Sequence, residues 1–471
     1  MVAEALLQRV TQQLQRALPA DQVLSDLATL ESYAWDNTGI RVRPDLVVLA
    51  QKRQDVIHCL KICHEHGVPV TPRTGGTGNV GGVLPLNGGV VLSLQQMNRV
   101  IEVAPDDRLV VVEPGVINGE LQSQLEPYGL FWPPNPSSHR SCAIGGNLAM
   151  CAAGPNAVRY GVTRDWVMGL EAVLADGTVI HAGSRASKSV TGYDLTRLLV
   201  GSEGTLAVIT QATLKLAPRP TAKRLMRVVF DSLDRAAQCV SRIMAAGEPP
   251  SALEFMDGGS LKLLRASGME IPAAGQALLL LEVSADESRM EAESSRIATL
   301  LSEMAPLELV IAQSPEDAKE VWAARYALSP LLKKLSPKRI NEDVAVPVSQ
   351  LPALIMGLEK IAAEVDLPMA NFGHAGNGNI HVNLLVDPTD SEQMERVPGA
   401  LDSLFGLTMQ LQGTLSGEHG IGSQKRDYLG WELDAPTLAL QQQIKQLFDP
   451  KGILNPGKIF PQNARPNPQR K

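Results

Sequence analysis

The stretch PRTGGTGNVGG, residues 72–82, decides the fold. Its glycine density is too high for a packed helix or strand. It follows a strand expected over residues 68–71, itself preceded by a helix over 55–65 with Val56, Leu60 and Cys63 on one side and Gly67 as its stop. A loop of this kind exposes successive backbone N–H groups and so makes a cradle for phosphate oxygens. Neither common nucleotide fingerprint is present. There is no GxxxxGK[ST] loop, and the glycine spacing is not the GxGxxG of a Rossmann crossover.

Small-residue segments recur downstream. Strands are expected over 89–93 and 108–113, then a helix over 118–128, and these are followed by PPNPSS (133–138), IGGN (144–147), AAG (152–154), TGYDL (191–195) and GSEGTLAVIT (201–210). A long ligand that touches the backbone at many points is the economical explanation. Upstream, residues 1–18 have amphipathic helical spacing through Val10, Leu14 and Leu18, and 43–49 reads as a short strand.

LKLAPRPTAKR (214–224), with two prolines and several basic residues, marks a domain boundary. Beyond it strands such as 225–230 and 277–283 alternate with helices such as 231–246 and 287–304, which predicts an antiparallel sheet with helices on one face, an α+β arrangement. EFMD (254–257) reads as packing. VWAARYALSP (321–330) reads as a helix end carrying Arg325.

Two short segments concentrate the chemistry. NFGHAGNGNIHVN (371–383) predicts a hairpin, with strands over 369–373 and 379–386 around the turn 375–378. The turn brings His374 beside His381, and strand alternation puts His381 and Asn383 on one face. SGEHGIG (416–422) adds Glu418 and His419 between glycines. His374, His381 and Glu418 make a two-histidine, one-carboxylate set that suits zinc, while manganese, iron and cobalt accept similar donors. Three protein ligands leave a coordination position for substrate or water, and His419 is then available for proton transfer.

The chain has 471 residues, enough for two or three domains, and 44% hydrophobic content supports real cores. A formal charge of -7 gives no electrostatic reason to expect nucleic acid. Five cysteines without CxxC spacing fit a reducing cytoplasm. No apolar run approaches a membrane span, although peripheral contact with the inner face of a membrane stays open. The tail at 462–471 reads as a frayed end.

PRTGGTGN, PPNPSS, IGGN, RYG (159–161), TGYDL and GSEGTLAVIT, in this order, resemble the FAD domain of the vanillyl-alcohol-oxidase or p-cresol-methylhydroxylase flavoprotein superfamily. With HAGNGNIH, SGEHGIG and GILNPGK (452–458), the resemblance narrows to the FAD-linked D-2-hydroxy-acid dehydrogenases, which include D-lactate dehydrogenases, glycolate oxidase catalytic subunits and D-2-hydroxyglutarate dehydrogenases. It implies an N-terminal helical segment (1–41), a two-subdomain FAD-binding domain (42–219), a substrate or cap domain with the metal site (220–425) and a C-terminal segment returning to the flavin (426–471). It also implies that Pro72, Arg73, Thr74, Gly75, Gly76, Thr77 and Gly78 bind the FAD pyrophosphate. Pro136, Ser137, Ser138, Gly145, Gly146, Asn147 and Gly154 would line the flavin and its linker, Ile209 the adenine side, and Asn455 would close the site. Some relatives tether the flavin through a histidine where this chain has Thr77, so non-covalent FAD is expected.

On the same resemblance Arg325 forks onto the substrate carboxylate, Lys338 is a candidate second anion contact, Asn383 hydrogen-bonds substrate and His419 is the base. The implied reaction is oxidation of a D-2-hydroxy acid, D-lactate first, to the 2-keto acid. Electrons would pass to a quinone, a cytochrome or an electron-transfer flavoprotein, and a homodimer is compatible with the sequence. Two readings of other classes compete: a metal-dependent hydrolase using the same triad, and a non-catalytic partner subunit of a flavoprotein complex.

Overall fold

The computed structural model describes residues 3–247, 249–336 and 338–467; the end of the tail at 462–471 lies outside them. Two compact units emerge. Unit 1 comprises Met1–Gly154, Gly161–Arg219 and Glu418–Pro466; unit 2 comprises Pro155–Tyr160 and Pro220–Gly417.

Unit 1 contains two main sheets. In the first, Leu46–Leu49, Val90–Ser93 and Val70–Arg73 run parallel, with Val23–Leu24 added antiparallel at the edge. Parallel strands need a crossover. The helix Arg53–His66 supplies it, burying Val56, Cys59, Leu60 and Cys63 and stopping at Gly67, which takes the left-handed conformation (φ 66°). The amphipathic helix Glu4–Ala17 adds Val10 and Leu14 to the same core. Val70–Arg73 runs directly into the glycine-rich loop, so that loop lies at the carboxyl end of a parallel strand, where open α/β sheets place their ligands. The second sheet is antiparallel, in the order Val100–Ala104, Leu109–Val112, Val208–Lys215, Val167–Val173, Val179–Gly183. Its core contains Trp132 and the buried face of the helix Asn118–Leu125.

The C-terminal segment belongs to unit 1. Asp449, 1% exposed, accepts the amides of Ile453 (3.1 Å) and Leu454 (2.8 Å) and pairs with Lys445, whose ammonium also donates to the carbonyls of Thr205 and Leu454. Leu454 bridges to Val70, and the Asn455 amide donates to the Val70 carbonyl at 2.8 Å. The returning chain is thereby fixed against the strand that feeds the glycine-rich loop.

Unit 2 is built on a seven-stranded sheet in the order Glu308–Ile311, Ala222–Phe230, Ala277–Ala285, Ala252–Met256, Met369–Gly373, Asn379–Val386, Lys338–Ala345, every neighbouring pair antiparallel. The expected hairpin is present, its turn formed by a short 3-10 segment, Ala375–Asn377, and closed by Gly378 at φ 67°. A Cβ there would run into the Val346 carbonyl, so only glycine fits.

Two expectations are corrected in unit 2. Helices cover both faces of the sheet, not one. Ala277–Ala285, ALLLLEVSA, is buried along its whole length, and an unbroken apolar run rather than alternation is what two covered faces require. Helices Gly258–Ala266 and Pro315–Leu335 share one core with Met256, Leu278, Leu280 and Phe372. The second correction is that Pro330 does not end its helix, which continues to Leu335. The carbonyl four residues back, deprived of its usual N–H partner, is that of Tyr326, an exposed residue (65%), so proline is tolerated at a solvent-facing turn.

Replacing Asp449 by Ala leaves Lys445 buried without its partner and frees two amides. A loss of about 3–5 kcal/mol in unfolding free energy is expected, measured by denaturant titration with tryptophan fluorescence.

Candidate active site

Strand register in unit 2 assembles one cluster. Cross-strand partners share a face, and the pairs Met256 with Phe372, Phe372 with His381, and Asp343 with His381 set Glu254, Phe372, His381 and Asp343 on the face that carries the helix Pro315–Leu335. His374 follows Gly373, the partner of Phe255, so continuing the register sets it opposite Glu254. The rings of His374 and His381 lie 5.3 Å apart between centroids at 87° to each other. Both are buried.

Each imidazole has a carboxylate behind it. Glu254 Oε1 meets His374 Nδ1 at 2.5 Å, and Asp343 Oδ1 lies 3.5 Å from His381 Nδ1. Glu254 is completely buried, and its other oxygen, Oε2, accepts from Arg325 Nε at 2.7 Å. Burial opposes ionisation of Glu254, but the charges of His374 and Arg325 outweigh it and hold the carboxyl below the usual glutamate range. Arg325 lies over the face of Phe372, 4.7 Å from its centroid, and the Phe372 ring in turn meets His381 edge-on at 6.0 Å. Asp343 is itself held by Asn379 Nδ2 (2.6 Å) and Ser416 Oγ (3.1 Å).

A second cluster lies in unit 1. No amide from Thr74 to Asn79 donates to a protein acceptor among the described residues. Backbone donors in that state suit phosphate oxygens. The neighbouring segments close in so tightly that side chains are excluded. A Cβ on Gly145 would lie 2.6 Å from Pro114, and one on Gly154, at φ 105°, would run into the Asn135 carbonyl. Pro72, Gly75, Gly76, Thr77, Gly78, Pro136, Ser137, Ser138, Gly146, Asn147 and Ile209 all lie in the same unit. The loop amides fit an anionic, phosphate-bearing cofactor.

Polar side chains tie down that loop and the segment that carries His419. Asn455, at φ 42°, donates to the carbonyls of Gly82 (2.8 Å) and Glu203 (2.7 Å). Glu203, buried at φ 54°, accepts the amides of Ile421 (2.7 Å) and Gly422 (2.8 Å) and thus holds the segment that carries His419. Burial pushes the Glu203 carboxyl up to about 7 against the pull of those amides and of Lys458, and burial pushes the Lys458 ammonium down to about 8. Asn79, inside the glycine-rich loop, lies 3.2 Å from His419 Nε2.

Several sequence expectations change in detail. Asn383 is fully buried, and its amide is committed to protein: Nδ2 donates to the carbonyls of Ala370 (2.8 Å) and His381 (3.1 Å), and Oδ1 accepts from Asn341 (2.7 Å). In these bonds it braces the hairpin, on the strand face that also carries His381. Lys338 is exposed at the start of its strand, an odd number of residues from Asp343 and therefore on the opposite face. Arg339 takes the site face instead, half-buried and bonded to Ser329, one helical turn after Arg325. Arg73 is directed inward, donating to the Trp35 carbonyl (2.9 Å) and lying over Tyr33. TGYDL sits in an open loop, with Tyr193 97% exposed.

Glu254, Asp343, Asn79, Glu203 and Arg339 went unrecognised as site residues. Three of them stood in segments singled out beforehand: Glu254 in EFMD, where it read as packing, Asn79 in PRTGGTGNVGG and Glu203 in GSEGTLAVIT.

Comparison with known proteins follows the same division. Residues 219–459 match the family of FAD linked oxidases, C-terminal domain, and residues 44–183 match the FAD binding domain family. The glycolate oxidase subunit GlcD of Bacillus subtilis (strain 168) is 38% identical over 435 residues, covering 92% of this chain and 93% of that protein. A D-lactate dehydrogenase of Anaerostipes hadrus is 32% identical over 443 residues, with 91% and 92% covered. A solved structure of p-cresol methylhydroxylase with substrate bound matches with a TM-score of 0.80 over 98% of this chain and 99% of its own, at 17% identity, a likeness of fold alone. FAD is the cofactor that the two matched families and the unpartnered loop amides call for. The chain belongs to the FAD-linked oxidases and is an FAD-linked oxidoreductase of the glycolate oxidase and D-lactate dehydrogenase type.

Proposed function

We propose that this protein oxidises a D-2-hydroxy acid, D-lactate first among candidates, to the 2-keto acid, with FAD bound non-covalently. A divalent cation, zinc first, would be held by His374, His381 and Glu418. One observation carries the reading: a single buried carboxylate, Glu254, holds both the His374 imidazole, whose ring lies against His381, and the Arg325 guanidinium. A cation site beside an anion site suits a molecule with adjacent hydroxyl and carboxylate groups. Glu418 follows Ser416 by two residues, and Ser416 is anchored on Asp343, the register partner of His381.

When bound, FAD supplies a two-electron acceptor for the Cα hydrogen, and the cation supplies charge that acidifies the substrate hydroxyl. The chain's own residues do the rest. Arg325, fixed through Nε, presents its remaining guanidinium nitrogens to the substrate carboxylate. His419, placed by Asn79 and by the Glu203 clasp two and three residues on, takes the hydroxyl proton. Electrons leave to a quinone, a cytochrome or an electron-transfer flavoprotein. Thr77 offers no imidazole for a covalent tether.

Arg339 favours a second reading, a dicarboxylate such as D-2-hydroxyglutarate. It is half-buried, it has no carboxylate partner among the described residues, and it donates to Ser329, which stands one turn, about 6 Å, from Arg325 on the same helix.

Anaerobic flavin bleaching with D- and L-lactate, glycolate and D-2-hydroxyglutarate tests both. Bleaching by D-lactate but not L-lactate supports the first; no bleaching by any 2-hydroxy acid sinks the function. Under the second reading Arg339→Met raises KM for D-2-hydroxyglutarate about tenfold or more and leaves D-lactate unchanged. His381→Ala is expected to abolish turnover with FAD retained, whereas His419→Ala slows flavin reduction about 10²–10⁴-fold with metal content unchanged. Acid precipitation is expected to release the yellow colour into the supernatant.

A further inference from the structure

Glu254 invites a closer account than packing. Withdrawing a carboxylate completely from water costs several kcal/mol unless both oxygens find strong partners. Here each oxygen has a different one: Oε1 faces His374 Nδ1 at 2.5 Å, and Oε2 accepts from Arg325 Nε at 2.7 Å. The first contact fixes a tautomer. With the proton on Nδ1, the lone pair of His374 is on Nε2, the nitrogen turned away from Glu254. The second contact fixes an orientation, because an arginine held at Nε and stacked on Phe372 at 4.7 Å has lost the rotation of its guanidinium plane. Phe372 closes the circle by meeting His381, whose ring faces His374.

We propose that Glu254 is a positioning residue that couples metal ligation to carboxylate capture: one side chain sets Nε2 of His374 as the metal-facing atom and aims the Arg325 fork. The proposal rests on the dehydrogenase reading above. It differs from a packing role in one respect. A packing residue would affect stability alone, whereas a coupling residue must move metal affinity and substrate affinity together.

The test uses the flavin-loaded full-length protein. Glu254→Gln keeps the size, but its amide has a single acceptor oxygen, so it can accept from His374 Nδ1–H or from Arg325 Nε–H but not from both; facing His374 with its NH2 would move that proton to Nε2, the metal-facing atom. Dialysis against buffered Zn²⁺ or Mn²⁺ followed by elemental analysis is expected to give a metal affinity about 10–100-fold weaker, with the flavin-to-protein ratio unchanged. KM for the bleaching 2-hydroxy acid, measured at saturating metal, should rise at least tenfold. Arg325→Met, which removes only one arm, should raise KM and leave metal affinity at the wild-type value. Should Glu254→Gln not accumulate folded, Glu254→Asp carries the same comparison, since it keeps the charge but is too short to span both partners. If the glutamine or aspartate variant binds metal and substrate as the wild type does and loses only melting temperature, the coupling role is overturned. If instead the wild type itself binds no metal and is bleached by no 2-hydroxy acid, the dehydrogenase reading has failed, a result distinct from the first.

Discussion

A charge buried without water must be answered by its neighbours, and in unit 2 that requirement organises everything near the hairpin. Glu254 is wholly enclosed, so His374 and Arg325 have to come to it from a strand end and from a helix. Removing Arg325 would leave the buried carboxylate without its guanidinium, a change of a kind that typically costs about 3–5 kcal/mol. The site is therefore rigid for reasons of solvation, before any ligand arrives. Preorganisation of this kind is what lets a guanidinium and an imidazole act without rearranging at the moment of reaction.

Unit 1 reaches the same end with backbone. Its loop amides are turned away from protein acceptors, while Asn455 and Glu203 spend their polar atoms on the carbonyls and amides that frame the loop. Glu203 and Asn455 both hold positive φ, where non-glycine residues are uncommon. Such strain persists because the surrounding hydrogen bonds over-determine it.

Local features of this fold were legible in the sequence, and non-local ones were not. The hairpin over 369–386 could be read because turn and strands are contiguous, and the glycine-rich loop because its composition leaves few alternatives. The partnership of Glu254 with His374 spans 120 positions, and only the register of strands far apart in sequence creates it. Parity would have separated Lys338 from Asp343, since five steps along a strand change faces. The commitment of Asn383 to Asn341 could not be seen, because it depends on which strand lies alongside. The two covered faces of the unit 2 sheet were written in ALLLLEVSA, although such a run is equally compatible with a buried helix.

The bridge between Val70 and Leu454 has a consequence for biosynthesis. On a ribosome adding about 5–20 residues each second, the first parallel sheet emerges on the order of half a minute before the segment that completes its core. Meanwhile most of unit 2 is translated in between, as an insertion from Pro220 to Gly417. The nucleotide-binding half must thus wait with apolar surface uncovered while its inserted neighbour is made, which marks it as the part of the nascent chain with most need of a chaperone.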